Sequence, residues 1–230
     1  MATSDVITLT RPDGELPVHR FLPDRSSGAG IVLVQEIFGV SAYVRARAED
    51  LAREGYEVHV PELYWRIPDH EVDEDGEGML ERGMELMGRT DWADAVGDTL
   101  AAVEHLRGEV AGRVGLVGFC YGGGVAFAAA ARTEVAALVS YYGSALPQLL
   151  DLAPEVTAPS LHHWGTEDAF IPRATAEEIE RALDRDGVEF VWHEGAGHAF
   201  DNPHPAFFHA DASAAAWPHT LAFLDTHLRS

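Results

Sequence analysis

The only cysteine of this 230-residue sequence, Cys120, stands in the frame Gly118-Phe119-Cys120-Tyr121-Gly122, after the apolar run RVGLVGF and before the small-residue run YGGGVAFAAAA. A lone cysteine is by default a small buried hydrophobe, explained by packing alone. The flanking glycines ask for more than that. The frame is G-x-S-x-G with sulfur in place of oxygen, a strand-to-helix elbow that strains its central residue and leaves no room for side chains two positions away. A merely structural cysteine needs no such flanks. The helix that starts there directs partial positive charge at the sulfur and favours thiolate. The chemistry that follows is nucleophilic attack on an acyl carbon.

Such a nucleophile needs a base and a group to orient the base, in the chain order nucleophile, acid, histidine. LHHWGTEDAFIP places Asp168 just past a strand-like run, with Glu167 as an adjacent rival that the sequence does not separate from it. WHEGAGHAF follows the next such run, and Gly195 and Gly197 permit a tight loop presenting His198. His162 and His163 read as sheet residues, and His193 closes its strand as a weaker candidate. Histidine would take and return the proton while Asp168 fixes its tautomer. A zinc site is not expected, because no H-E-x-x-H spacing and no second cysteine occur.

IVLVQEIFG puts Glu36 directly after another buried run. One reading is a cap or an ion-pair partner of Arg45 or Arg47. The other is a carboxylate beside the thiol that opposes ionisation until substrate displaces it, sparing the cysteine from oxidation.

These residues need a scaffold that gathers strand ends. VITLT (6–10) and PVHRFL (17–22) around RPDGEL predict an N-terminal hairpin. GAGIVLVQE, YEVHVPELY, RVGLVGF, VAALVSYYG, APSLHHWG and VEFVWHEG read as further strands. Between them lie helical segments at 41–54, capped by Ser41 and stopped by Gly55, and at WADAVGDTLAAVEHLRG, GGVAFAAAART and ATAEEIERALDRDG. A last helix is expected from about Asp211 to Leu228. Strands alternating with helices predict an α/β fold, a doubly wound, mostly parallel sheet with helices on both faces. Its ligand site lies beyond the carboxyl ends of the strands. No repeat or linker divides residues 1–230, so one domain is expected. The acidic stretch 68–90 reads equally as a solvated excursion or as part of a flap.

A formal charge of −22 opposes binding to nucleic acids and anionic membranes and slows anionic substrates. One cysteine makes no internal disulfide, no leader pattern opens the sequence, and no apolar run approaches the roughly 18 residues of a membrane span. A cytoplasmic location is the expectation.

VQEIFGV, PELY, GLVGFCYGG, YYG, GTEDAFIP and GAGHAF together resemble the dienelactone hydrolase (carboxymethylenebutenolidase) family of the α/β-hydrolase superfamily, from about Val6 to Leu228. The resemblance implies an α/β-hydrolase fold and a Cys120-His198-Asp168 triad. It implies a Glu36 that contacts the resting cysteine and leaves it when substrate binds. It also implies an oxyanion hole built from the backbone N–H groups of Ile37 and Tyr121. Family members that take dienelactone hold its carboxylate with arginines, one shortly after the catalytic histidine. This sequence has Ala199-Phe200-Asp201-Asn202 there. Asp201 would repel a carboxylate if it faced the pocket, and Arg82 is flanked by the apolar Leu80 and Met84. Tyr64, Trp65, Arg82, Met84, Tyr142 and Phe200 are the candidate pocket residues.

The expected function is hydrolysis of lactones or activated carboxylic esters, dienelactone-like or more neutral, through a thioester and without a cofactor. The same triad would also serve an acyltransferase or thioesterase, and a non-catalytic scaffold sensing ligands or electrophiles is the rival outside enzymes. The expected partner is a small-molecule ester or lactone, and the family resemblance points to a monomer.

Overall fold

The computed structural model describes residues 3–229, and the chain forms two compact units, Met1–Val114 and Gly115–Ser230. The first unit holds β1 (Thr3–Arg11), β2 (Gly14–Leu22), β3 (Gly30–Val34), α1 (Ala42–Arg53), β4 (Glu57–Pro61), α2 (Met79–Arg89) and α3 (Trp92–Glu109). Its strands lie in the order β1-β2-β4-β3. The expected hairpin is present. Its antiparallel register runs from Arg11 opposite Gly14 to Thr3 opposite Leu22, so both strands extend beyond their alternating cores. β2 joins β4 antiparallel, and β3 joins β4 parallel.

Local chemistry sets these boundaries. All five residues of β3 are buried, matching the continuous apolar run of a strand covered on both faces. The Ser41 hydroxyl caps α1 by accepting the Val44 N–H at 3.3 Å, and the chain leaves that helix through Gly55 at φ 100°. Asp91 caps α3 by accepting from Ala93 and Asp94. In the acidic excursion, α2 starts after Gly78, which takes φ 95°. It buries Gly83 and Leu86. A Cβ on Gly83 would lie 3.1 Å from Ile37 and Phe38, so α2 rests on the segment after β3. Leu80 and Met84 point the other way, at 38% and 44% exposure.

The second unit holds β5 (Val114–Phe119) from Gly115 onward, α4 (Tyr121–Ala130), β6 (Ala137–Tyr141), β7 (Ser160–Gly165), α5 (Arg173–Leu183), β8 (Val188–His193) and α6 (Ala210–Leu228). Two short 3-10 turns that the sequence does not announce, Leu146–Gln148 and Leu150–Leu152, follow β6. The strands run β5-β6-β7-β8, every pair parallel. β5, β6 and β7 are buried throughout, while β8, last in this order, is partly exposed. Because all four run the same way, their carboxyl ends share one rim. Cys120, Tyr142, Thr166 and Glu194 follow the four strands directly at that rim.

Candidate active site

Cys120 is the hinge between β5 and α4, with φ 52° and ψ −117°, a conformation that costs energy in any L-residue other than glycine. The surroundings enforce it. The Cys120 N–H donates to the Tyr141 carbonyl at 3.0 Å, and its own carbonyl accepts from Gly123 at 3.0 Å and Ser144 at 3.1 Å. A Cβ on Gly118 would sit 2.2 Å from the Gly122 carbonyl oxygen, so the elbow forms only with glycine there.

Asp168 is presented by the turn after β7. Its Oδ1 accepts the N–H groups of Phe170 and Ile171 at 2.8 and 2.9 Å, which leaves Oδ2 for a third donor. Glu167, the rival carboxylate, is exposed, whereas Asp168 is buried. His198 lies in the loop after β8. That loop reaches β7 closely enough that a Cβ on Gly165 would stand 2.2 Å from the Ala196 carbonyl oxygen.

The structure brings the three side chains into series. His198 Nδ1 is 2.8 Å from Asp168 Oδ2, and His198 Nε2 is 3.0 Å from Cys120 Sγ. A carboxylate only accepts, so Nδ1 carries hydrogen and donates to Asp168. Nε2 is thereby the ring nitrogen that faces sulfur. Burial pulls the His198 pKa down, but the charge on Cys120, the hydrogen bonds to Asp168 and Cys120, and the charge on Asp168 outweigh it and raise the value to about 10. The site therefore favours an imidazolium facing sulfur. Cys120 itself is 8% exposed.

Aromatic rings hold the imidazole in place. Tyr142, fully buried at φ 39°, lies 5.1 Å from the His198 ring and 5.2 Å from Phe200. Both are among the residues expected around the pocket. The sequence reading missed Phe170, 60% exposed with its ring 4.9 Å from His198, and Ser144, whose Oγ is 3.8 Å from Cys120 Sγ. His193 is engaged elsewhere, with Nε2 3.0 Å from His163 Nδ1. Asp201 is buried and accepts from Ser213 Oγ of α6 at 2.6 Å, so its carboxylate anchors a helix.

The remaining expected site residues belong to the first unit. Glu36 is buried just beyond β3, and its carbonyl accepts from Gly39 N–H at 3.3 Å and from Gln35 Nε2 at 3.4 Å. Tyr64 is buried and donates its hydroxyl to the Ile37 carbonyl at 3.1 Å, bracing that loop. Trp65 has a different neighbourhood from the expected pocket. Its indole N–H donates to Asp98 Oδ2 at 2.9 Å, and the Arg66 guanidinium lies over its ring. Arg82 pairs with Glu85 at 2.7 Å and donates to the Asp69 carbonyl.

A cavity of about 430 Å³ in the first unit is lined by Gln35, Phe38, Tyr64, Arg45 and a His19-Glu62-His70 chain. Hydrogen bonding from His19, opposed by burial and joined by His70, holds Glu62 down at about 2. Among the described residues, no group of three or more His, Cys, Asp or Glu side chains is placed to hold a metal ion, and no helix is long and apolar enough to cross a membrane.

The Dienelactone hydrolase family profile matches residues 16–228, a span that runs through both units. The chain is 36% identical over 206 residues to a carboxymethylenebutenolidase of Pseudomonas putida, covering 88% of this chain and 87% of that protein. It is 31% identical over 226 residues to carboxymethylenebutenolidase 1 of Cupriavidus pinatubonensis, covering 96% of each. A crystal structure from Klebsiella pneumoniae superposes with a TM-score of 0.81 at 27% identity, over 97% of this chain and 98% of that one. The chain belongs to the dienelactone hydrolase family and is a carboxymethylenebutenolidase-like hydrolase of the α/β-hydrolase fold.

Proposed function

We propose that the protein hydrolyses lactones or activated carboxylic esters through a thioester on Cys120, with His198 moving the proton and Asp168 orienting it. The observation that carries this reading is the single imidazole bonded to sulfur at 3.0 Å and to carboxylate at 2.8 Å. In acylation the sulfur–carbon bond forms, the carbonyl oxygen becomes an oxyanion, and the ester C–O bond breaks as His198 Nε2 gives its proton to the departing oxygen. In deacylation His198 takes a proton from water as the new C–O bond forms and sulfur leaves. The Tyr121 N–H, from the residue directly after the nucleophile in the first turn of α4, is the proposed oxyanion donor in this unit. Family resemblance pairs it with the Ile37 N–H and assigns Glu36 to the resting cysteine.

The substrate we favour is a neutral lactone or ester as readily as the anionic dienelactone. No arginine stands in the stretch Ala199-Phe200-Asp201-Asn202 directly after His198, and Arg82 is already paired with Glu85. The test compares kcat/KM for dienelactone, a neutral butenolide and p-nitrophenyl acetate in the wild type, in Cys120→Ala and after alkylation with iodoacetamide. Turnover of the neutral substrates that disappears with the thiol supports the reading. Undiminished turnover without a free Cys120 overturns the nucleophile, and a strong preference for dienelactone overturns the substrate assignment.

A further inference from the structure

The Cys120 sulfur has a second polar neighbour, Ser144 Oγ at 3.8 Å. Backbone contacts hold this residue in place. The Cys120 N–H donates to the Tyr141 carbonyl and the Ser144 N–H donates to the Cys120 carbonyl, so the chain after β6 is stapled to both sides of the elbow. Between the staples Tyr142 turns through φ 39°, with its N–H on the His163 carbonyl at 2.9 Å. Glycine lets the two segments meet: a Cβ on Gly123 would lie 2.6 Å from Ser140 Oγ and 2.9 Å from Gly143 Cα.

Counting hydrogens assigns the direction of the contact. A thiol has one hydrogen. With Nδ1–H donated to Asp168, His198 Nε2 either accepts the S–H or, as imidazolium, donates to the thiolate. In neither state does sulfur retain a hydrogen for Ser144. The serine hydroxyl has its own hydrogen and rotates freely, so the O–H points at a sulfur lone pair.

We propose that Ser144 is a catalytic donor to the Cys120 sulfur, stabilising it as thiolate nucleophile in acylation and as thiolate leaving group when the thioester breaks. This rests on the reading of Cys120 as the nucleophile. When water attacks the thioester, its proton goes to His198, the new C–O bond forms, and the S–C electron pair returns to a sulfur that Ser144 already bonds. A donor favours the charged form but slightly lowers the thiolate's intrinsic nucleophilicity. Its benefit is therefore largest where little thiolate exists and vanishes where the thiol is fully ionised. The titratable groups facing the sulfur in this unit are His198 and, through it, Asp168, beside the α4 N-terminus. Family resemblance adds Glu36.

The test is iodoacetamide alkylation of the single thiol, followed by whole-protein mass across the pH range, in the wild type, Ser144→Ala and Ser144→Thr. It is run alongside kcat/KM for p-nitrophenyl acetate and the urea midpoint. Ser144→Ala is expected to alkylate about three- to tenfold more slowly on the acid limb of the wild-type alkylation profile, wherever that limb falls, in line with the loss of one hydrogen bond to a charged group at long range. The gap should close in alkaline solution, kcat/KM should fall in parallel, and Ser144→Thr should recover most of both. Wild-type rates and profile in Ser144→Ala overturn the proposal. So does a slowing that is equal at every pH and unrescued by threonine, which would mark a packing role. Should Cys120→Ala still hydrolyse the ester, the nucleophile assignment fails, while the alkylation profile still reads the Ser144 contact independently.

Discussion

Asp168 holds His198 with one carboxylate oxygen while its other oxygen is held by two backbone N–H groups of the same turn: Oδ2 lies 2.8 Å from Nδ1, and Oδ1 takes Phe170 and Ile171. The carboxylate thus cannot rotate without losing main-chain bonds, and it dictates which imidazole nitrogen carries hydrogen. Asp168→Asn would keep the turn, because the amide oxygen can still accept from Phe170 and Ile171. The amide N–H₂ would then face Nδ1 and force the hydrogen onto Nε2, where it blocks proton uptake from the thiol. A loss in kcat of about a thousandfold or more is expected, the scale seen when a triad loses its correct tautomer. The thermal midpoint should stay near that of the wild type. Steady-state kinetics and a melting curve on the same preparation check both.

Under the proposed mechanism, the raised pKa of His198 predicts the alkaline limit of activity. Burial lowers it, but the Cys120 charge and the hydrogen bonds to Asp168 and Cys120 lift it to about 10. In the proposed mechanism the protonated ring is the acid that releases the leaving group, so kcat/KM should hold through mildly alkaline solution and decline as pH rises past about 10. A rate profile with a slowly hydrolysed ester, with circular dichroism at each pH to exclude unfolding, measures this limb. A fall already complete by neutral pH would show that the imidazolium is not held.

Cys120, His198 and the Glu167-Asp168 pair are legible in the sequence because each follows an apolar run and sits among turn-forming residues, so the strand-end rule finds all three positions. The choice of Asp168 over Glu167 was not legible. It depends on which side chain the turn directs inward, and neighbouring residues of like chemistry differ only there. Ser144 escaped for a similar reason, since its approach to sulfur depends on the positive φ of Tyr142, and a tyrosine gives no sign of that conformation. Gly165 gives no local sign of its physical role, the 2.2 Å that a Cβ would leave to the Ala196 carbonyl, a contact between distant segments. Trp65 is a candidate pocket residue by sequence, and in the structure its indole N–H donates to a distant carboxylate. Its partner Asp98 lies 33 positions away on α3, beyond the reach of local pattern.

Asp98 makes that last contact testable. The residue is fully buried and accepts from Arg11 Nε at 2.9 Å, Trp65 Nε1 at 2.9 Å and Arg66 Nη1 at 2.5 Å. It ties β1 and the segment after β4 to α3. Asp98→Ala leaves two guanidinium groups and an indole N–H without their shared acceptor, and removing one partner of a buried ion pair costs about 3–5 kcal/mol. Urea unfolding should show a loss of that order. Asp98→Asn, which keeps one acceptor oxygen, should lose less. A change below about 1 kcal/mol in Asp98→Ala would place the cluster with ordinary surface pairs.

Three buried histidines predict how the fold responds to acid. Burial, with the charges of His105 and Arg20, lowers His59 to about 3; burial and Arg185 lower His162 to about 3; burial, His219 and His209 lower His193 to about 4 against a pull from Asp201. Each folded value lies below the ordinary 6.5, so below that pH the unfolded chain binds protons that the folded chain refuses. Their contribution is complete above about pH 6.5 and is withdrawn as pH falls towards 4, by up to about 1.4 kcal/mol per pH unit for each group. The urea midpoint should therefore drop between pH 7 and pH 5. His162→Gln, which cannot titrate, should flatten that slope even if it lowers the midpoint at pH 7, because the two effects have different origins: lost packing is independent of pH, and proton uptake by the unfolded chain is not. An unchanged slope in His162→Gln would show that this ring is already solvated enough to protonate within the folded protein.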